Sequence, residues 1–551
     1  MSVGSAARPV VGRARLQARA GTPAITAICV LTLLGAALRF WRIGHQGFWF
    51  DEGNTALLVH LPPGKMLGLL PQSESTPPLY YCLLWVWARV FGFGEAGLRS
   101  LSALAGTFAV PVAYGIAAEM FSGSDRPAVD SRLFTGSPRR AGFGGVHDSA
   151  GTRAGLIAAA LTACNPLLIW YSQEARAYSL VVLLTGLSVL FWVRARAEPS
   201  AGRLALWAVA AGLSLATEYY ALVVVVPQAL WLLWQHRTDR RAWVAFLVVG
   251  LCGLALLPLA LSQNSTGNDS WIASAAFGPR LRQIIPQFLI GTDMPDRTAF
   301  KYAAFGLALI ALALLGLRAR AAELRAALVA SALALGGFVL ALILVVAGFD
   351  DLITRNILAL WLPAAVAVTG GLSVERARAL GTVVATALCS IGIVATIGIG
   401  LDRNLQRPDW RYVARALGPW PAAQGARPGA SSTAGRAILI QHYAYLLPLS
   451  LYIPHLQVLT APARVTEIDV ISMSSPQQPL CWWGAACNLI PSQMQARYPI
   501  AGFRAISRRQ VLQFTILTLR ASRAQTITRA DVAAVLRTTR LHHDVLIYQR
   551  G

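Results

Sequence analysis

The chain has 551 residues, 55% of them hydrophobic and only 13% charged, with a formal net charge of +23. Its mean hydropathy of +0.53 excludes a soluble globular protein and reads as a polytopic membrane protein. In a soluble chain such a basic balance would point to nucleic acid. Here the arginines fall in short clusters between apolar spans, the positive-inside pattern, and no nucleic-acid partner is expected.

A membrane-crossing helix needs about 20 apolar residues. Candidate spans lie near 22–40, 98–121, 153–170, 176–194, 203–218, 220–234, 243–261, 302–317, 326–347, 357–372 and 379–399, about eleven in all. Arg8, Arg13, Arg15 and Arg19 precede the first span and put the N-terminus in the cytoplasm. That span runs into Arg39-Phe40-Trp41-Arg42 without a small-residue cleavage site and reads as a retained anchor. The aromatic stretch 78–92 is short, and the charges decide its placement. If it lies flat on the outer surface, the arginine-bearing loops 122–152, 194–203, 235–241, 318–325 and 375–378 all face the cytoplasm. If it spans, all of them face outward. It therefore reads as an interfacial helix, and 41–97, 171–176, 263–300, 349–356 and everything after about 400 lie on the outer side.

Two units follow: a transmembrane module over 1–400, with a Gly/Ser/Arg-rich cytoplasmic insertion at 122–152, and an extracytoplasmic domain over 401–551. The second has apolar runs too short to span, at 437–440 and 514–517, a helix-like stretch at 531–537 and a Pro/Gly/Ser-rich loop at 419–435. It reads as a small α/β domain. Cys481 and Cys487 lie in this domain, either as a disulfide or as two free thiols.

Four clusters on the outer side can carry chemistry. Asp51 and Glu52 sit among aromatics in Phe48-Trp49-Phe50-Asp51-Glu52. A carboxylate that loses hydration at a membrane interface becomes a better proton acceptor, which makes Asp51 the candidate general base. The plain alternative is that both acids favour the start of a short helix. Glu174 and Arg176 lie in the run 170–178 between two spans with almost no loop. Charges there are costly unless paired or used, so they form either an internal ion pair or part of a site. Arg355, in the acidic loop 349–356, has the planar donor fork that suits a phosphate, or it snorkels to headgroups. Arg403, Arg407, Asp409, Trp410 and Arg411 follow the last span as a charged collar. No phosphate-binding glycine loop, dinucleotide fingerprint or His-Glu-x-x-His site occurs, so a cytosolic nucleotide donor is not expected.

The Asp51-Glu52 pair, then 75–81 (Ser-Thr-Pro-Pro-Leu-Tyr-Tyr) and then 171–178 (Tyr-Ser-Gln-Glu-Ala-Arg-Ala-Tyr) resemble the C-type (GT-C) membrane glycosyltransferases. The nearest branch is that of the protein O-mannosyltransferases and bacterial aminoarabinose transferases, glycosyltransferase family 39-like. The resemblance covers about 22–370. It implies a mainly α GT-C fold with outer juxtamembrane helices, in the plasma membrane. It also implies transfer of a hexose or pentose from a polyprenyl-phosphate donor to a glycan, lipid or protein acceptor, with inversion. Carried over by motif, Asp51 with Glu52 would activate the acceptor and Glu174 would line the same cavity. Arg176 would accompany Glu174 and Arg355 would contact the donor phosphate. Apart from the resemblance, Trp49 and Tyr171 can stack on the sugar or on isoprenyl units or serve as interfacial anchors, and with Tyr80 they complete the substrate-binding candidates. The family's late motif has Tyr after the arginine, where this chain has Asn356. No cofactor is fixed by these residues. A divalent metal on Asp51, Glu52 and Glu174 is left open. A lipid transporter or flippase, or a non-catalytic envelope assembly partner, is the competing reading.

Overall fold

The computed structural model describes residues 11–122, 149–292, 294–420, 435–440, 445–473, 500–531 and 545–549. Cys481 and Cys487 lie outside these, as do most of the 122–152 insertion, the 419–435 loop and the 531–537 stretch.

The helices in chain order are α1 (Val11–Phe40), α2 (Phe50–His60), α3 (Pro63–Ser73), α4 (Leu79–Phe91), α5 (Glu95–Phe121), α6 (Ser149–Cys164), α7 (Pro166–Ser172), α8 (Tyr178–Ala197), α9 (Ala201–Thr217) and α10 (Leu222–Gln235). They continue as α11 (Arg240–Asn264), α12 (Ser270–Ser274), α13 (Phe277–Ile290), α14 (Arg297–Arg318), α15 (Ala321–Val346), α16 (Trp361–Leu372) and α17 (Arg378–Leu401). Two short helices, α18 (Trp410–Leu417) and α19 (Leu446–Ser450), follow the bundle.

Every expected span falls on a helix, but the count of about eleven crossings is not established. Among the described residues, seven helical segments are long and apolar enough to cross a bilayer, or eight if the bent pair α6–α7 is one span. The helices α9, α10 and α16 are apolar but short. With 12 to 17 residues at about 1.5 Å each they fall short of about 30 Å of hydrocarbon. The aromatic stretch 78–92 forms α4, whose 13 residues reach only about 20 Å. It buries Tyr80, Tyr81, Leu84 and Ala88 and leaves Leu83, Val86, Val90 and Phe91 exposed.

Bundle helices show apolar side chains outward as well as inward, with Leu251, Leu309, Leu335 and Val383 all exposed, as lipid-facing surfaces require. Polar groups inside are paired: Gln228 accepts from Trp207 Nε1 at 2.8 Å and donates to Ser188 at 3.2 Å. The chain is a multi-pass membrane protein.

Beyond α17 lie the strands β1 (Gly435–Ile440), β2 (Leu456–Val458), β3 (Ala463–Met473), β4 (Phe503–Val511), β5 (Phe514–Ile527) and β6 (Val545–Gln549). They form one sheet in the order β2-β6-β1-β3-β5-β4, antiparallel except for β1 with β3. Both short apolar runs at 437–440 and 514–517 are strands of this sheet. All six residues of β1 are buried between two apolar layers, one of which packs on Trp410 of α18.

Candidate active site

The site is assembled at one end of the bundle by four local devices. The first is the turn after α1 that starts α2 at Phe50, with Asp51 and Glu52 in its first turn. That is where the helix dipole favours acids, and Trp49 ahead of them makes no side-chain cap. The second is a break between α6 and α7: Pro166 cannot continue the α6 hydrogen-bond ladder, and Asn165 caps the new helix through Leu168 N–H at 3.0 Å. The resulting 56° bend delivers residues 170–176 to the cluster. The third is the turn at 354–357 ahead of α16, which carries Arg355. The fourth is the link from α17 to α18, which brings in Arg407.

Four carboxylates meet four arginines there. Asp51 Oδ2 accepts from Arg355 Nη1 at 3.0 Å. Glu52 is fully buried and accepts from Arg99 Nε at 2.7 Å and Nη2 at 2.6 Å, and from Ala175 N–H at 2.8 Å. Glu74 accepts from Arg176 Nη1 at 2.8 and 2.9 Å, and that nitrogen also reaches Tyr81 at 3.1 Å. Glu174, also fully buried, accepts from Arg407 Nη2 at 3.0 Å through Oε2. The internal pair between Glu174 and Arg176, one alternative from the sequence, is therefore absent, and each takes a partner more than 100 residues away.

The acids differ in electrostatics. Burial raises the Glu52 carboxyl, but the Arg99 fork and the Ala175 N–H outweigh it and hold the group below its ordinary range. Burial pushes Glu174 up to about 7 despite Arg407, with the charges of Asp51 and Glu52 adding to the rise. Burial works against the charge on Arg355, yet Tyr178 and Asp51 hold its guanidinium above its ordinary value.

Three buried polar atoms of this cluster have no hydrogen-bond partner among the described residues: Trp49 Nε1, Glu174 Oε1 and Arg355 Nε. The Tyr171 ring centre lies 4.8 Å from that of Tyr178, the two rings inclined at 60°, and Arg355 lies 5.3 Å from the Trp271 ring centre. Of the sequence candidates, Asp51, Glu174, Arg355, Trp49 and Tyr171 gather here with their polar atoms or ring faces available. The polar atoms of the others are engaged by neighbouring protein groups. Both oxygens of Glu52 are spent on Arg99, Arg176 is tied to Glu74, and the Tyr80 hydroxyl is spent on Ser102 at 2.9 Å. Ser102 in turn donates to the Arg176 carbonyl at 3.0 Å.

Sequence reasoning missed Glu74, Arg99 and Tyr81, and left Arg407 in a surface collar. Arg99 carried a usable signal, because a charge in the first turns of a span is costly without a partner. Glu74 carried none beyond standing just before the 75–81 motif. A metal does not suit the donor set: Asp51, Glu52 and Glu174 each face their own arginine. Among the described residues no group of three His, Cys, Asp or Glu converges on a metal position.

Residues 144–261 match the family model of dolichyl-phosphate-mannose-protein mannosyltransferase, and the fold of the whole chain is one it shares with the membrane protein ArnT. In particular, the chain is similar to ArnT from Cupriavidus metallidurans. The apo crystal structure of that protein matches with a TM-score of 0.51 at 14% identity, over 91% of this chain and 98% of the other. Its structure bound to undecaprenyl phosphate gives 0.48 at 14% identity, over 90% and 97%. No curated protein sequence matches the chain.

Proposed function

We propose that the chain moves a sugar, hexose or pentose, from a polyprenyl-phosphate donor to an acceptor hydroxyl on a glycan, lipid or protein. Transfer takes place at the outer face of the plasma membrane and inverts the anomeric carbon. The observation that carries this reading is the trio of unpartnered buried atoms around Asp51: Trp49 Nε1, Glu174 Oε1 and Arg355 Nε. A buried polar atom left unpaired costs about 1–3 kcal/mol, so a site that keeps three is built for a polar ligand that completes them. The match of 144–261 to a dolichyl-phosphate-mannose-dependent family supports a sugar carried on a prenyl phosphate, and the lipid tail accounts for a site at the end of a membrane bundle.

In this scheme the acceptor oxygen attacks the anomeric carbon while Asp51 takes its proton. The bond from that carbon to the phosphate oxygen breaks, and its electron pair leaves with the polyprenyl phosphate. Arg355 holds Asp51 through Nη1 and offers Nε to the departing phosphate, where negative charge grows in the transition state. Glu174 stays protonated closer to neutrality than an ordinary carboxyl and presents Oε1 to a sugar hydroxyl. Trp49 and Tyr171 supply apolar faces for the sugar ring. Glu52, Arg99, Glu74 and Arg176 fix the two segments that carry these groups.

The test is release of polyprenyl phosphate from mannosyl and pentosyl donors by the full chain in lipid discs. Asp51→Asn should lower kcat about 10²- to 10⁴-fold, the usual span of general-base catalysis, with an unchanged unfolding temperature. A wild-type chain that moves these donors between leaflets without cleaving them is a flippase. Full turnover by Asp51→Asn removes Asp51 as base.

A further inference from the structure

A second cleft lies on the other side of the Glu174–Arg407 pair, between the ends of α1, α7 and α17. Its walls are Trp41, Pro166, Ile169, Trp170 and Ile399, and its polar rim is Arg42, His45, Gln46, Gln173, Gln406 and Arg407. We propose that this cleft binds the phosphate of an anionic phospholipid from the surrounding bilayer, a site that goes beyond the transfer chemistry.

Two guanidinium groups lie beside indole rings on this cleft, and one of them, Arg42, carries the charge available to a ligand. Arg407 stacks 4.0 Å over the Trp170 ring and Arg42 lies 5.8 Å from the Trp41 ring centre. Arg42 also contacts the His45 ring and, among the described residues, has no carboxylate in ion-pair reach. Burial and then Arg42, Arg403 and Arg411 push the His45 imidazole below its ordinary value, as expected where cations crowd. Of the acids close by, Glu174 pairs with Arg407 itself at 3.0 Å, Glu95 pairs with Arg411 at 3.2 Å, and Asp409 accepts from the Tyr412 N–H at 3.1 Å while opposing the cations at His45, so among the described residues the uncompensated cation of the rim is Arg42. A guanidinium beside an indole face at a bilayer edge is the pairing that suits a phosphate diester.

The backbone is shaped for it. Arg42 takes a left-handed φ of 58°, a conformation that costs a non-glycine residue about 1–3 kcal/mol. The turn is pinned by Gln173 Nε2, which donates to the Trp41 carbonyl at 2.9 Å, and by Arg411 Nη2, which donates to the His45 carbonyl at 2.5 Å. Trp41 packs so closely on α17 that a Cβ at Gly400 would sit 2.3 Å from its ring. The two helices flanking the cleft leave Leu33 and Phe40 of α1 and Val394, Ile397 and Leu401 of α17 exposed, an apolar surface for the acyl chains of the bound lipid.

Native mass spectrometry of the full chain tests this after exchange from discs holding equal phosphatidylglycerol and phosphatidylcholine. Wild type should keep phosphatidylglycerol selectively. Arg42→Gln should lose about tenfold of that retention, the scale of one charge-assisted hydrogen bond, while Arg42→Lys keeps most of it. Arg318→Gln, at the far end of α14, and Arg355→Gln, at the donor phosphate, should both retain the lipid as wild type does. Equal retention of the two lipids by wild type overturns the proposal, and so does unchanged retention in Arg42→Gln. Displacement by millimolar inorganic phosphate assigns the cleft to a free anion and overturns the lipid. Loss in Arg355→Gln assigns the retained lipid to the transfer site and overturns the second one.

Discussion

At the scale of single residues, the site separates groups with spare hydrogen-bonding capacity from groups whose capacity is used. Asp51 and Arg355 hold one another by a single bond at 3.0 Å, so each keeps atoms for a ligand, whereas Glu52 is closed by three donors. Glu174 lies between these cases, with one oxygen on Arg407 and the other free. Its carboxyl is pushed from 4.5 to about 7, so the folded chain holds a proton there that the unfolded chain releases. The stability this supplies is full below about 4.5 and is lost as pH rises through about 7. Glu174→Gln should therefore flatten the fall in unfolding temperature across that window, measured by scanning calorimetry in detergent. An unaltered pH dependence would remove Glu174 as its source. The same variant should shift the pH–rate profile near neutrality, since it cannot titrate. These residues were legible in the sequence because charges beside apolar spans are rare. Their partners were not, because Glu52 and Arg99 are 47 positions apart, Glu74 and Arg176 are 102 apart, and Arg355 and Asp51 are 304 apart. No local pattern records such pairings.

Among the elements, α2 is the one that has to be held still, and it is held from two sides. From the bundle, Arg99 of α5 donates to Glu52 and to the carbonyls of Ile43, Gln46 and Gly47. From the sheet domain, α19 packs on it so tightly that a Cβ at Gly53 would lie 2.8 Å from Pro448 N. Just past α19, the Tyr452 hydroxyl accepts from Phe48 N–H at 2.6 Å and donates to Glu95 at 2.7 Å. Gly53→Ala should displace α2 from α19 and lower kcat more than it raises KM, with a modest loss of unfolding temperature; unchanged kcat would mean that the domain does not position the acids. Arg99→Met leaves Glu52 buried without its cation, a change that costs about 3–5 kcal/mol, and should unfold the chain well below wild type. The long apolar helices could be read from sequence, since composition over about 20 residues suffices. The short apolar runs at 437–440 and 514–517, which became parts of β1 and β5, gave the sheet domain only in outline. The packing of α19 on α2 joins segments some 400 positions apart, and only the folded chain brings them together.

For the molecule as a whole, everything rests on one end of the bundle being a single compartment. Asp51, Glu74, Glu174, Arg355 and Arg407 arrive from five segments of chain, yet all sit where α1 and α17 finish and where α8 and α14 begin. The arginines between spans gather at the opposite end: Arg194 and Arg196 at the close of α8, Arg240 and Arg241 at the start of α11, and Arg318 and Arg320 between α14 and α15. Basic loops are retained in the cytoplasm as a rule, and on that rule we propose that the acids face outward, where a lipid-linked sugar can be met by an acceptor. Cysteine labelling decides it, in a background with Cys29 and Cys82, the exposed thiols among the described cysteines, and Cys481 and Cys487 replaced by serine. Gln72, at the Asp51 end, and Ala321, at the start of α15, are both exposed. Gln72→Cys should react with a membrane-impermeant maleimide in intact cells, whereas Ala321→Cys should react only after permeabilisation. The reverse pattern would put Asp51 in the cytosol, and the transfer chemistry would then have to draw on acceptors found there.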